Sequence, residues 1–237
     1  MNKYERHAYL YSAWAALIVP TFVTAYAIWV QITHGNEAWL AFFKFLSILL
    51  PMAIIYAAIG FYIRELFRYV SKRVFQFKLF QKDDTQMPTT QYLLWHDTKL
   101  PREMKTLVRE RVFQDYGYMM LTAEEERNNE YEARLNIVGA VGLIRQSLRQ
   151  NPILEQSNYR YGFQRNLLGG LVCVAILTLF IQIFALIVGI GISTELMIGL
   201  LIVLLQGALA FLQLREAAGG YARTLFEVYA SNKEKNS

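Results

Sequence analysis

LLGGLVCVAILTLFIQIFALIVGI, residues 167–190, carries no charged side chain and a single amide, Gln182. A hydrocarbon core about 30 Å thick needs roughly 20 mostly apolar residues in helical form, so this stretch reads as a transmembrane helix. Three further runs meet the same length working outward: Leu196–Leu214 after it, and Tyr9–Ile32 and Trp39–Ile63 near the start. One such run alone would also suit the core helix of a soluble protein. Four in a chain of 237 residues favour the bilayer. The expectation is an all-α integral membrane protein with four transmembrane helices arranged as two hairpins around a helical cytoplasmic domain.

Composition agrees. The chain is 54% hydrophobic and 18% charged, against about 25% charged in soluble domains, and the charge is concentrated in the middle. The predicted organisation is an N-terminal tail with helices 1 and 2 over 1–63, a mostly helical domain over 64–166, helices 3 and 4 over 167–214, and a tail over 215–237. Orientation follows from Lys and Arg, which collect on the cytoplasmic side. The connections 33–38 and 191–195 contain none, whereas 64–165 contains 17. The N-terminal tail adds Lys3 and Arg6, and the C-terminal tail Arg215, Arg223, Lys233 and Lys235. Both termini and the 64–166 domain are therefore expected in the cytoplasm. The opening MNKYERHAYLYSAW leads into an apolar run too long for a signal h-region and lacks a small-residue cleavage site, so the first helix is expected to be retained.

Several chemistries find no support. The single cysteine, Cys173, lies inside the third predicted span, which excludes an internal disulfide or a thiolate metal site. No Walker loop, GxGxxG turn, HExxH pair or CxxC motif occurs. His7, His34 and His96 sit far apart, and His96-Asp97 has no nucleophile at a defined spacing. An enzyme is not expected, nor is a cofactor.

Polar residues inside the spans are few. Lys44 lies near the outer end of its helix, where it snorkels to the surface or forms a cation ring at a pore mouth. Gln182 and Gln206 sit near the middles of the last two spans, as interhelical ties or as pore lining. Small residues recur at helix-packing spacing, at Ala53, Ala57 and Gly60, at Gly169 and Cys173, and at Gly207 and Ala210. Pro20 and Pro51 are expected to kink the first two helices. Four spans enclose no wide aqueous path in one subunit, so a conducting form would be a homo-oligomeric ring, a tetramer being favoured. Gly199, Val203, Gln206, Gly207 and Ala210 fall on or near one face of the fourth span and, with Gln182, are the candidate pore lining.

The cytoplasmic segment continues the second helix as RELFRYVSKRVFQFKLFQK, with Arg64, Arg68 and Lys72 at helical spacing. This basic stripe serves as positive-inside flanking, or faces lipid head groups or a charged ligand. Beyond Pro101, a good first-turn residue, Met104, Leu107, Val108 and Val112 form an apolar face, while Arg102, Lys105 and Arg109 share another. Thr122 and Glu125 read as a capping box opening a helix toward Gln150, with Asn128 and Asn129 as interruptions. Its apolar side holds Ile137, Val141, Ile144 and Leu148, and Arg145 and Arg149 stand one turn apart. Ahead of the third span, Tyr159, Arg160, Tyr161, Phe163 and Arg165 interleave rings with cations. That pattern suits single-stranded nucleic acid, whose bases stack on rings while phosphates meet arginines; it also suits anchoring at a membrane interface. The candidate ligand residues are Arg102, Lys105, Arg109, Arg145, Arg149, Tyr159, Arg160 and Tyr161. The alternative pairs these arginines with the acidic run Glu124–Glu126 or with head groups. Residues 64–165 hold 17 basic and 13 acidic side chains, a net of +4, so binding would need local clustering.

The order of two spans, basic helical domain and two spans, with YRYGFQRNLLGG at Tyr159–Gly170, resembles the membrane ion-channel effectors of bacterial nucleotidyltransferase-based anti-phage systems of the Hailong type. The resemblance implies a bacterial inner-membrane protein. It further implies an oligomeric channel whose cytoplasmic part binds a nucleotide or short single-stranded DNA made by a cognate nucleotidyltransferase. The functional expectation is a homo-oligomeric channel gated by an anionic cytoplasmic ligand. The other reading is a non-conducting adaptor that recruits a cytoplasmic protein to the bilayer.

Overall fold

A computed structural model describes residues 5–33, 62–76, 84–189 and 191–231, and every regular element among them is helical. A π-helical turn, Glu5–Leu10, leads into α1 (Tyr11–Thr33). Helix α2 covers 62–71 and ends in a second π-helical turn, Lys72–Gln76. After a short 3₁₀ turn, Asp84–Gln86, follow α3 (Pro88–Gln91), α4 (Arg102–Tyr116), α5 (Ala123–Asn128) and α6 (Glu130–Ser147). Two long helices complete the chain, α7 (Pro152–Ile187) and α8 (Thr194–Ser231).

The helix ends follow local chemistry. Pro101, with φ −55°, precedes α4, and Gly117, at φ 64°, closes it by donating its N–H to Phe113 O at 2.8 Å. That left-handed conformation is one glycine adopts without steric cost. Thr122 and Glu125 form the expected capping box at α5. Asn129, at φ −146°, breaks the helix and caps the next one by accepting from the Glu132 N–H at 3.2 Å. The interruption read at Asn128–Asn129 is therefore a real boundary. Asn151 accepts from the N–H groups of Ile153 and Leu154 at the start of α7, with Pro152 in the first turn, where its missing N–H costs nothing.

α7 and α8 are the two described helices long and apolar enough to cross a membrane, by length and composition. Only 22% of the most apolar window of each is buried, unlike the core helix of a soluble protein. They contain the third and fourth predicted spans. The first predicted span falls on α1 from Tyr11 onward, while the second, Trp39–Ile63, lies outside the described residues except for Tyr62 and Ile63.

The chain divides into two compact units, Met1–Arg73 with Phe163–Leu212, and Val74–Gly162 with Gln213–Ser237. In the first, α1, α2 and α7 approach closely at glycines. A Cβ on Gly169 would lie 2.2 Å from Phe67 O, and one on Gly170 would lie 2.7–2.8 Å from the Phe67 ring and the Ala16 Cβ. Ser71 Oγ donates to Arg165 O at 2.5 Å, and Asn166 Nδ2 to Ala8 O at 2.7 Å. In the second unit, Ile137, Val141, Ile144 and Leu148 of α6 are all buried, with Val108 and Val112 of α4 and Leu93 and Leu94. The core is completed by Ala222, Leu225, Phe226 and Tyr229 of α8. The stretch read from sequence as a C-terminal tail is thus helical to Ser231 and carries part of a hydrophobic core. Leu107, assigned to the apolar face of α4, is 42% exposed, whereas Lys105 is 1% exposed. The buried face of α4 therefore runs through 105, 108 and 112 with Met104 packed against it, so Val108, Val112 and Met104 lie as expected and Leu107 alone turns outward.

Candidate ligand site

Lys105 and Arg109 are held by backbone oxygens. Lys105 Nζ donates to Leu94 O at 2.5 Å and also to Asp97 O. Arg109 donates to Leu121 O and Leu93 O, both at 2.7 Å, and its guanidinium lies 4.3 Å from the centroid of the Trp95 ring. Glu126, 3% exposed, pairs with Arg109. Its Oε1 accepts the Trp95 N–H at 2.8 Å, and its Oε2 lies 3.6 Å from Arg109 Nη2. Burial pushes Arg109 down to about 10, with Glu126 opposing the fall, and burial likewise lowers Lys105. These groups pin the Leu93–Lys99 loop onto α4 and α5. Arg102 is exposed and reaches the Trp95 ring at 6.0 Å. The adjoining cleft of about 690 Å³ is lined by both signs of charge, among them Asp97, Arg102, Lys105, Glu126 and Glu130.

Arg145 occupies a different place. It lines a cavity of about 320 Å³ with Asp84, Met87, Pro88, Thr89, Asn158, Tyr161, Ala218 and Tyr221. That volume is at the lower end for small-molecule sites. Arg145 Nη2 donates to Thr89 Oγ1 at 3.2 Å, and the guanidinium stands 5.8 Å from the Tyr221 ring centroid. Its Nε is buried without an acceptor. Burial raises the Tyr221 hydroxyl, and Arg145 draws it back down. The floor is built by the short α3 turn, fixed where Thr90 Oγ1 donates to Asp84 O at 2.7 Å and Arg134 Nη1 to Thr85 O at 2.8 Å. Two walls come from the long helices, Asn158 and Tyr161 of α7 and Ala218 and Tyr221 of α8, each pair three residues apart and so on one helical face.

The eight candidate ligand residues are thus distributed over separate places. Arg145 and Tyr161 share the cavity. Arg102, Lys105 and Arg109 surround Trp95. Arg149 is exposed in the turn after α6, Tyr159 donates to Glu155 Oε2 at 3.0 Å, and Arg160 makes an exposed pair with Glu216 at 3.5 Å. Thr89, Asn158, Ala218 and Tyr221 were not picked out in the sequence. The repeated i, i+3 placement of Asn158–Tyr161 and Ala218–Tyr221 was the available signal.

The candidate pore residues lie in the other unit. Val203 and Ala210 are 2% and 3% exposed, and Gly199 is buried. Gly199 and Val203 face an apolar cavity of about 480 Å³ shared with Leu17, Pro20, Phe67 and Cys173. Gln182 is buried and donates to Gly191 O at 3.4 Å, closing its own hairpin. Gln206 and Gly207 are partly exposed, and the Gln206 Oε1 has no donor. The outward surface of both helices is apolar, with Phe180, Phe184, Leu201, Leu205 and Leu209 all more than half exposed. Compared with protein-family models, with curated proteins and with solved structures, the chain matches none.

Proposed function

We propose that the chain is a homo-oligomeric membrane channel gated by an anionic cytoplasmic ligand that enters the Arg145 cavity. In this reading four helices cross a bacterial inner membrane as two hairpins. Both termini and the 64–166 domain lie in the cytoplasm, and a tetramer supplies the conducting path. The ligand is a nucleotide or short single-stranded DNA, and the biological setting is anti-phage defence beside a cognate nucleotidyltransferase. The observation that carries it is that α7 and α8 each supply a wall of the cavity and continue, as unbroken helices, into the most apolar segments of the chain. A ligand wedged between Tyr161 and Tyr221 favours one spacing of the two helices over another. It acts as a gate to the extent that its affinity differs between them. Phosphate would meet Arg145, and a base would stack on Tyr161 or Tyr221.

The inward position of Gly199, Val203 and Ala210 leaves Gln206 and Gly207 as the part of the expected lining available to a shared axis. The internal bond of Gln182 favours the second reading, a non-conducting adaptor. Planar-bilayer conductance of the purified chain, with and without nucleotides and short single-stranded DNA, separates the two. The channel reading expects a ligand-dependent current that Arg145→Gln makes unresponsive at unchanged oligomer mass. It also expects log K for single strands to fall with log[salt] at about 0.7 per neutralised phosphate. A monodisperse monomer without current under any condition leaves the adaptor.

A further inference from the structure

We propose that Arg68 and Lys72, backed by Arg165, form a binding site for the phosphate of an anionic phospholipid. The proposal rests on the membrane-spanning part of the reading above, and neither on conduction nor on the Arg145 ligand. Arg68 and Lys72 stand one turn apart where α2 passes into its terminal π-helical turn. Two contacts bring Arg165 beside them: the Ser71 Oγ bond to Arg165 O at 2.5 Å, and the bare Gly169, whose missing Cβ lets α7 close onto Phe67 O. Asn166 holds the same region to Ala8, and its Oδ1 accepts from Arg165 Nε at 3.4 Å. Tyr9 contributes a ring 5.3 Å from the Arg68 guanidinium.

The charges around Lys72 are mainly of its own sign. Burial, then Arg68, then Arg165 lower it from the ordinary lysine value, with Glu65 acting in the other direction. Glu65 is itself engaged, 3.4 Å from Arg68 Nη1. Among the described residues no hydrogen bond or ion pair holds the Lys72 ammonium, and the Arg68 Nε is buried without an acceptor. Like charges gathered in a partly buried place are stabilised by an anion between them. The site follows closely after the end of the second predicted span, the level at which a phospholipid presents its phosphate. Basic pockets between transmembrane helices on the cytoplasmic side suit such head groups. Two donors on adjacent turns meet two oxygens of one phosphate, while the acyl chains lie along the exposed apolar surface of Leu66 and Tyr62.

The test uses the full chain purified in detergent, loaded with equal amounts of phosphatidylglycerol and phosphatidylcholine of identical acyl chains, and read by mass spectrometry of the retained lipid. Phosphatidylglycerol is expected in excess. Lys72→Gln and Arg68→Gln are each expected to reduce that excess about fivefold, the weight of one cation near a lipid surface. Arg6→Gln, an exposed cation of the same unit, is expected to leave it unchanged. Lys72→Gln removes no hydrogen bond, so an unchanged melting temperature shows the fold to be intact. Equal retention of the two lipids in the wild type overturns the site while leaving the membrane reading standing. Undiminished selectivity in both variants also overturns it. Displacement of phosphatidylglycerol by millimolar inorganic phosphate overturns the lipid assignment in favour of a soluble anion.

Discussion

Replacing Glu126 by Gln isolates the buried charge network on α4 and α5. Glutamine keeps an oxygen for the Trp95 N–H, now 2.8 Å from Glu126 Oε1, while removing the negative charge and turning the oxygen beside Arg109 into an amide NH2. Arg109, with 9% of its side chain exposed, then remains buried without its carboxylate, while Lys105 keeps its bonds to the Leu94 and Asp97 carbonyls. Removing one partner of a buried pair costs about 3–5 kcal/mol. Arg109 retains two carbonyl acceptors and the Trp95 face, which places the expected loss near the lower figure, about 3 kcal/mol. At roughly 2–4 °C per kcal/mol for a chain of this size, the melting temperature should fall by about 6–12 °C. Thermal scans of the detergent-solubilised chain read this directly. Arg109→Met combined with Glu126→Gln should cost less than the sum of the two single changes, because the stranded cation is gone. A fall of under about 2 °C for Glu126→Gln, about 0.5–1 kcal/mol, would refute the idea that the carboxylate compensates Arg109.

Gly169→Ala places a Cβ 2.2 Å from a backbone oxygen, a clash that no rotamer relieves. It should lower thermal stability by at least about 1–3 kcal/mol, the usual range for overpacking, whereas Gly142→Ala, with open space around it, should not. The Tyr229 hydroxyl donates to Asp115 Oδ2 at 2.8 Å, and burial followed by Asp115 raises its pKa. A raised folded pKa means stability fully present below about pH 10, the unfolded value, and lost as pH climbs toward the folded one. Urea titrations of Tyr229→Phe should therefore show a shallower decline above pH 10 than the wild type. For topology, a cysteine at Ser193 in a Cys173→Ala background should react with impermeant maleimide in intact cells, and one at exposed Gln150 should not. Labelling of position 150 from outside would reverse the orientation.

Much of this structure could be read before any coordinates. Capping residues act locally, so Thr122–Glu125 and the Asn129 break were visible in a few letters. The apolar face of α6 is wide and regular, and it lies where its period places it. The face of α4 was harder because its buried side includes Lys105 and Arg109, which interrupt the apolar pattern through Val108 and Val112. Read as a cationic stripe with Arg102, they suggested phosphate contacts. In the fold both donate to backbone oxygens, and Arg109 also pairs with Glu126, one of the pairings with the acidic run that the sequence had left open. Nor does local pattern tell which of three consecutive glutamates turns inward. That choice is made by Arg109 and the Trp95 N–H, from elements distant in sequence. The Arg145 cavity was only half readable for the same reason: Thr89, Asn158 and Tyr221 come from three separate stretches.

The contribution of Leu225, Phe226 and Tyr229 to the same core as Leu93, Val108 and Ile144 bears on how the molecule is made. Domains tend to fold in order of synthesis, yet this core lacks a side until the final helix has emerged. Between its first and last strips of chain lie the two helices that, among the described residues, are long and apolar enough to cross a membrane, and on the proposed membrane reading these enter the bilayer before the core can close. In that reading core closure follows insertion, and a chain lacking the residues from 222 onward would leave Ile137, Ile144 and Val112 without the Ala222, Leu225, Phe226 and Tyr229 side of their core.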